Sequence, residues 1–345
     1  MSTPPASPAP LVPARSSTGV VLSRSKADVL IWWPPSHMIA CFESSLVGPV
    51  TSDTLLRWLN MLDGVSRHGT LRVRRVLVRQ WAPFQFLAEP LEAIAPSDVL
   101  DRGDYGLFYV DADNNPAFEP PTLPFGGLNR RPSLEGLKIL YKKWNTPRGI
   151  ERLKCYSIPE EVKEAISRRD NGKCLFTGCT SSQDSPVDVY WIFPPGMADR
   201  IATLQGKRAH LPLMEIFMGN DNLITVRSDI YKLWHKNAFS VDVDDGCRIL
   251  TLTEEAKKFG LPDRLASVPN SSASEQFREH FRYTLCVEFL GGCIPVDAMS
   301  INDYLVDKGL DEEGTIDGSD LSDELFQMLI GEGYFEKVMK GTLGH

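Results

Sequence analysis

The sequence predicts an α+β protein of two domains, and three observations carry the prediction. Short apolar runs of strand length are interspersed with amphipathic stretches of helical spacing. A segment dense in Pro, Gly and Asn, from 114 to 134, divides these runs into two blocks. The ends differ from the middle: residues 1–27 are rich in Pro, Ser, Ala and Thr, whereas beyond Val296 twelve acidic residues face three basic ones. The expected order is a disordered arm (1–27), a small α+β domain (28–113), a linker or long loop (114–136), a second domain (137–295) and an acidic tail (296–345).

In the first domain, Val29 to Trp33 and Met38 to Phe42 have strand length and stand on either side of Pro34-Pro35. Thr51 to Leu62 opens with Thr-Ser-Asp and places Leu55, Trp58, Leu59 and Leu62 at helical spacing, so it reads as an amphipathic helix ended by Gly64. Leu71 to Trp81, rich in Val and Arg, and Tyr105 to Asp111 read as strands, and Asp113-Asn-Asn-Pro116 is turn chemistry.

In the second domain, Ser157-Ile-Pro-Glu160 has capping-box spacing, and Val162, Ala165 and Ile166 give a helix its buried face up to Asn171-Gly172. Strands are expected at Lys173 to Phe176 and Val187 to Phe193, then a long insertion to Gly219 and a helix from Asp229 to about Lys236 capped by Ser228. Phe239 to Val243 and Cys247 to Leu252, joined through Asp244-Asp-Gly246, read as a hairpin. Ser274 to Leu290 reads as an amphipathic helix with Phe277, Phe281, Leu285 and Phe289 on one face, packing on the second domain. Within the tail, Leu321 to Met328 and Tyr334 to Met339 have the pattern of short helices that dock or bind a partner.

With 345 residues, 42% hydrophobic and 24% charged, the composition is that of an ordinary soluble globular protein. No apolar stretch approaches the roughly 20 residues that span a bilayer, and no basic segment precedes an apolar one at the N-terminus. An intracellular protein, cytoplasmic or nuclear and without membrane attachment, is expected. The 7 cysteines are odd in number and scattered, which fits reduced thiols. The net charge is −8, and residues 251–345 carry 8 basic against 18 acidic side chains. A dedicated DNA-binding enzyme more often shows a basic domain surface. The arginine run Arg72, Arg74, Arg75 and Arg79 with Trp81 could serve single-stranded nucleic acid, but is read first as keeping a sheet edge soluble.

Three segments between Arg168 and Asp245 carry a more specific signal: Cys174-Leu-Phe-Thr-Gly178, Trp191-Ile-Phe-Pro-Pro195 and Asn222-Leu-Ile-Thr-Val-Arg-Ser-Asp-Ile-Tyr231. They resemble the HNH endonuclease domain of fungal proteins, which has a Cys-x-x-Thr-Gly first strand, a His-Ile-x-Pro second strand and an Asn followed by an Arg-x-Asp-x-His helix entry. The matching residues are Cys174, Thr177 and Gly178; Trp191, Ile192 and Pro194; and Asn222, Arg227, Asp229 and Tyr231. The resemblance implies a ββα unit with flanking helices, the first two segments forming the hairpin strands. It also implies a general-base histidine at the Trp191 position, an orienting Asn222 and a metal-ligating histidine at the Tyr231 position. Indole has no basic lone pair, and a phenol titrating near 10 is a poor base and an uncommon ligand at neutral pH. The expected protein is therefore a catalytically degenerate HNH-like module for binding or scaffolding, with no cofactor.

Two alternatives stay open. Asp188, Asp229 and His235 could rebuild a site for Mg, Mn or Zn and make the chain a divergent metal-dependent DNA endonuclease. The plainer reading of these residues is a solvated strand residue, a helix-start carboxylate and a last-turn histidine. Alternatively, the acidic tail is the working part and binds a protein partner. A zinc site at Cys174 and Cys179 would need Cys247 and His210, neither in paired spacing, so a buried structural Cys174 is preferred. Trp191 is read as core filling where metal and water would have been.

Overall fold

The computed structural model describes residues 27–290, apart from 34–36, 64–69, 83–84, 111–115, 118–131, 145–146, 184, 199–216 and 267–270. The N-terminal arm, Pro34-Pro35, Gly64, the 113–115 turn, most of the linker, most of the insertion with His210, Cys293 and the acidic tail with its two expected helices lie outside the described residues. What is described is α+β.

The N-terminal half is a mixed sheet of six strands: β1 (Val29–Trp33), β2 (His37–Phe42), β3 (Thr70–Ala82), β4 (Gln85–Ala93), β5 (Gly103–Val110) and β6 (Pro116–Ala117). The order is β2-β1-β5-β3-β4, with β6 pairing β5 and only β1–β5 parallel. Two helices follow β2: α1 (Ser44–Val47) and α2 (Ser52–Asp63). Thr51 starts α2 as a side-chain cap, its Oγ1 accepting the Thr54 amide at 3.2 Å. Leu55, Trp58, Leu59 and Leu62 of α2 bury against Val29, Ile31, Trp33, Val73, Tyr105 and Leu107 of the sheet.

β4 escapes sequence reading because Ala88-Glu-Pro-Leu-Glu92 has no β-branched residue and contains proline. Pro90 is tolerated because β4 is an edge strand, where an amide need not donate. The arginines of β3 hold this edge in place. Arg74 donates to the Leu91 carbonyl from Nε and Nη2 at 3.0 and 2.8 Å, and Arg79 and Arg75 pair with Glu89 and Glu92 at 3.1 and 3.3 Å. The expectation that the run borders a sheet edge is corrected in part: up to Arg75 β3 is flanked by β5, beyond it β3 pairs with β4 alone, and three of its arginines fasten that edge strand.

The C-terminal half begins with α3 (Leu134–Trp144), α4 (Pro147–Lys154) and α5 (Glu160–Arg169). Ser157 does not cap α5, which starts after Pro159 without a side-chain cap. Its amide instead donates to the Lys154 carbonyl at 3.1 Å, closing the end of α4. The antiparallel pair β7 (Val187–Trp191) and β8 (Leu223–Arg227) runs directly into α6 (Ser228–His235). The position of Ser228 as cap also moves by one residue, to Arg227, because the Ser228 amide is committed to the Pro186 carbonyl in the hairpin at 2.9 Å. The second hairpin, β9 (Phe239–Asp242) and β10 (Arg248–Thr251), turns through Gly246 as expected, and α7 (Glu254–Lys258) follows.

The last helix, α8 (Ser271–Thr284), continues as a wider π-helical turn over Leu285–Phe289. Its apolar residues serve three clusters: Ala273 and Phe277 pack with Trp234, Tyr283 and Val287 with Leu134, Leu137 and Tyr141, and Phe281, Leu285 and Phe289 with the N-terminal sheet. The helix expected to pack on the second domain thus also forms part of the core beneath β1 and β5. A buried charge strengthens the same junction: Arg57 of α2 donates twice to Asp242 of β9, at 2.8 and 2.6 Å, and Trp58 Nε1 adds a third bond at 2.9 Å. Among the described residues no helix is long and apolar enough to cross a membrane.

Candidate functional site

The hairpin β7–β8 lies between two helices, and strand alternation decides what each side meets. Val189, Trp191 and Leu223 face α5 and bury with Ile166, beside Val162 and Ile158. Ile192, Ile224 and Val226 join the cluster of Ile230, Leu233 and Trp234 from α6, with Tyr190 and Tyr231 packed against it. Trp191 and Tyr231 therefore do not share one cavity. Trp191 is core filling, as expected, but toward α5, and its Nε1 donates to the Tyr156 carbonyl at 3.2 Å. The side chains between hairpin and α6 are aromatic: Tyr190 stacks on Tyr231 with centroids 3.9 Å apart, and His235 stacks one turn further on at 5.7 Å.

The electrostatics of this stack are those of neutral groups. Burial, with the neighbouring Tyr190, pushes the Tyr231 phenol far above its ordinary value. Burial, with the Lys138 charge adding to it, pushes the His235 imidazole down to about 3. Its Nε2 is hydrogen bonded to the Tyr156 hydroxyl at 3.2 Å. An imidazole that does not hold a proton above pH 3 is a weak general base, and a phenol that holds its proton throughout the neutral range is a poor ligand.

The expected substitute ligands do not converge. Asp188 accepts from its neighbour's amide, Val189 N, at 2.7 Å and lies 3.4 Å from Lys163 Nζ. Asp229 is held by Arg227 at 2.5 Å, Ser185 Oγ at 3.2 Å and the Ile230 amide at 2.8 Å, and the Arg227 contact first of all keeps its carboxyl below the usual range. His235 faces Tyr156. Among the described residues, no group of three or more His, Cys, Asp or Glu side chains is placed to hold a metal ion.

Asn222 has a different role from the one its motif implies. Fully buried, it accepts the Phe193 amide at 2.9 Å and donates to the carbonyls of Phe193 and Phe217 at 2.6 and 2.7 Å. It orients backbone where the family pattern has it orient an imidazole. Pro194 leads into a short 3-10 turn over Pro195–Met197, where Gly196 lies so close to the Arg152 carbonyl that a Cβ would clash with it.

The segment Lys173 to Phe176 is not a hairpin strand. The chain reverses between Cys174 and Cys179, whose amide and carbonyl bond at 2.8 Å, and Gly178 completes the turn at φ 68°. Lys173 pairs only with Thr180, as a single bridge. Cys174 is buried in the α6 cluster, Cys179 is exposed, and Thr177 Oγ1 is buried without a hydrogen-bond partner. Arg227, besides holding Asp229, lies 5.3 Å from the centroid of the Phe259 ring.

Sequence reading missed Tyr156, Tyr190 and Lys138. Tyr190 could have been found by alternation, since it precedes Trp191 on the same strand and must face the opposite helix. Lys138, whose Nζ sits 4.4 Å from the Tyr156 ring centroid, comes from α3, and Tyr156 from the turn after α4; neither helix was anticipated. Beside the hairpin, an open groove of about 470 Å³ runs between α5 and β7, lined by Glu160, Lys163, Glu164, Arg168 and Asp188 among others. No protein-family model matches the chain, and neither the curated proteins nor the solved structures contain a match to it.

Proposed function

We propose that residues 168–245 form an HNH endonuclease-like ββα unit retired from catalysis, and that the protein acts as a binding or scaffold module. Support comes first from the motif residues: Trp191 and Asn222 stand at the end of an antiparallel hairpin where its two strands are connected, and Tyr231 lies on the helix that follows it. The observation that carries the loss of catalysis is the Tyr190–Tyr231 stack at 3.9 Å, which fills the space between hairpin and helix with neutral rings. Phosphodiester hydrolysis of the metal-assisted kind needs a base near neutral pH and a group that neutralises developing charge. Neither is supplied by Trp191, Tyr231, or a His235 held neutral.

The test is nicking of supercoiled plasmid by the full chain at low salt with magnesium, manganese, zinc or EDTA. No nicking above the EDTA control is expected with any metal. Metal-dependent nicking that disappears in Asp229→Ala or His235→Ala would overturn the proposal and establish the endonuclease alternative.

A further inference from the structure

The helix pair α3–α4 carries a surface unlike the rest of this acidic chain. Residues 134 to 156 hold six basic side chains, Lys138, Lys142, Lys143, Arg148, Arg152 and Lys154, against two acidic ones, Glu135 and Glu151. The arginine-rich strand β3 is as basic in sequence, but Arg74, Arg75 and Arg79 are engaged with β4. Lys142, Lys143 and Lys154 are exposed, and no carboxylate pairs with them among the described residues. The two helices also present Ile139 and Ile150, 53% and 40% exposed, two of only five large hydrophobic residues left so exposed in the described part. Lysines around isolated isoleucines suit a ligand that is itself acidic and punctuated by apolar residues.

The chain contains such a segment. Residues 297–345 carry twelve acidic and three basic side chains, interspersed with Leu321, Leu325, Phe326, Leu329, Tyr334 and Phe335. Connectivity favours this occupant. Val287, three residues before the last described residue, packs in the same cluster as Leu134, Leu137 and Tyr141 of α3, and Tyr283 donates to the Pro132 carbonyl at 2.8 Å. The last described residue, Leu290, bridges Ala40 of β2 and packs in the sheet core, so the segment that follows starts at the N-terminal sheet, three residues from the contacts of Val287 with α3. A short tether of this kind gives the tail an effective concentration in the millimolar range at the helix pair, so weak contacts are enough to hold it.

We infer that the acidic C-terminal segment, residues 297–345, docks in cis on the α3–α4 helix pair through Lys142, Lys143, Lys154 and the adjoining isoleucines. This docking is independent of the nuclease-like reading. It makes the tail a competitor, on this surface, for any external acidic peptide.

Zero-length carbodiimide cross-linking of the full chain at low protein concentration, mapped by mass spectrometry, tests the contact. Amide links from Asp and Glu of 297–345 to Lys142, Lys143 and Lys154 are expected in preference to the exposed controls Lys173, Lys232 and Lys258. The excess should be on the order of tenfold for a tethered site. It should fall severalfold at about 0.5 M salt, where the Debye length is roughly 4 Å. An even spread over all six lysines would overturn the inference. So would links that join isotopically heavy to light copies as often as like to like, since the contact would then be between molecules.

Discussion

Two buried polar regions of this protein are built on opposite principles. At the junction between the sheet and the C-terminal half, the fully buried Asp242 carboxyl is ion-paired, fixed by both terminal guanidinium nitrogens of Arg57 and by the indole of Trp58. Between hairpin and α6, where the motif resemblance calls for charge and metal, the space holds Tyr190, Tyr231 and a neutral His235. The difference teaches that this chain can bury a charge when it supplies every partner, so the neutral stack is not a general avoidance of buried charge. A charged site without its ligands would cost several kcal/mol in desolvation, and replacing it with packed rings removes that cost.

The sharpest way to break the comparison is Asp242→Ala. It leaves Arg57 and the Trp58 N–H unpaired at a buried junction, and a loss of about 3–5 kcal/mol is expected in urea unfolding. A loss under about 1 kcal/mol would mean that the junction is held by apolar contacts alone.

Asn222→Ala comes next. Three backbone groups lose their partner, and roughly 2–3 kcal/mol should be lost, with faster hydrogen exchange at the Phe193 amide.

Acidification distinguishes the regions through their histidines. His235 and His280 both have folded-state values below their unfolded ones, chiefly from burial; His280 is bonded to Ser240 Oγ at 2.8 Å and to the Trp234 carbonyl at 3.2 Å. The unfolded chain therefore binds protons first. Stability is fully present above about pH 6.5, and below it should fall by about 1.4 kcal/mol per pH unit for each histidine, continuing for His235 to about pH 3. His235→Gln should remove about half of that slope in a series of thermal melts between pH 7 and 4; an unchanged slope would place the acid sensitivity elsewhere.

The smallest effect is expected at the sheet edge. Arg79 and Glu89 are 62% and 42% exposed, so Arg79→Ala should change stability by less than about 0.5 kcal/mol, as measured by urea unfolding.

Much of the architecture was legible in the sequence because its signals are local. Short apolar or Val-rich runs of strand length placed β1, β2, β3, β5, β7 and β9, the spacing of Leu55, Trp58, Leu59 and Leu62 placed α2, and the phenylalanine series placed α8. What failed was decided by partners distant in sequence. β4 exists because β3 holds it, Ser157 was claimed by the end of α4, and Lys173 to Phe176 bends because Cys174 bonds to Cys179. The candidate site was half legible. That the motif positions carry an indole and a phenol could be read directly from Trp191 and Tyr231, and that neither group is a good base near neutral pH follows from their chemistry alone. That Trp191 faces α5 while Tyr190 faces α6 needed only alternation, whereas the contact of His235 with Tyr156 needed the turn that follows α4, a helix that gave little periodic signal.

Asn222 has one further implication. By tying Phe193 to Phe217, whose rings lie 5.4 Å apart, it fastens the chain that leaves β7 to the chain that enters β8 through described residues alone. Mechanically, this clasp pins the two strands of the hairpin at their connected end, so that their register is held there by one side chain as well as by the ladder.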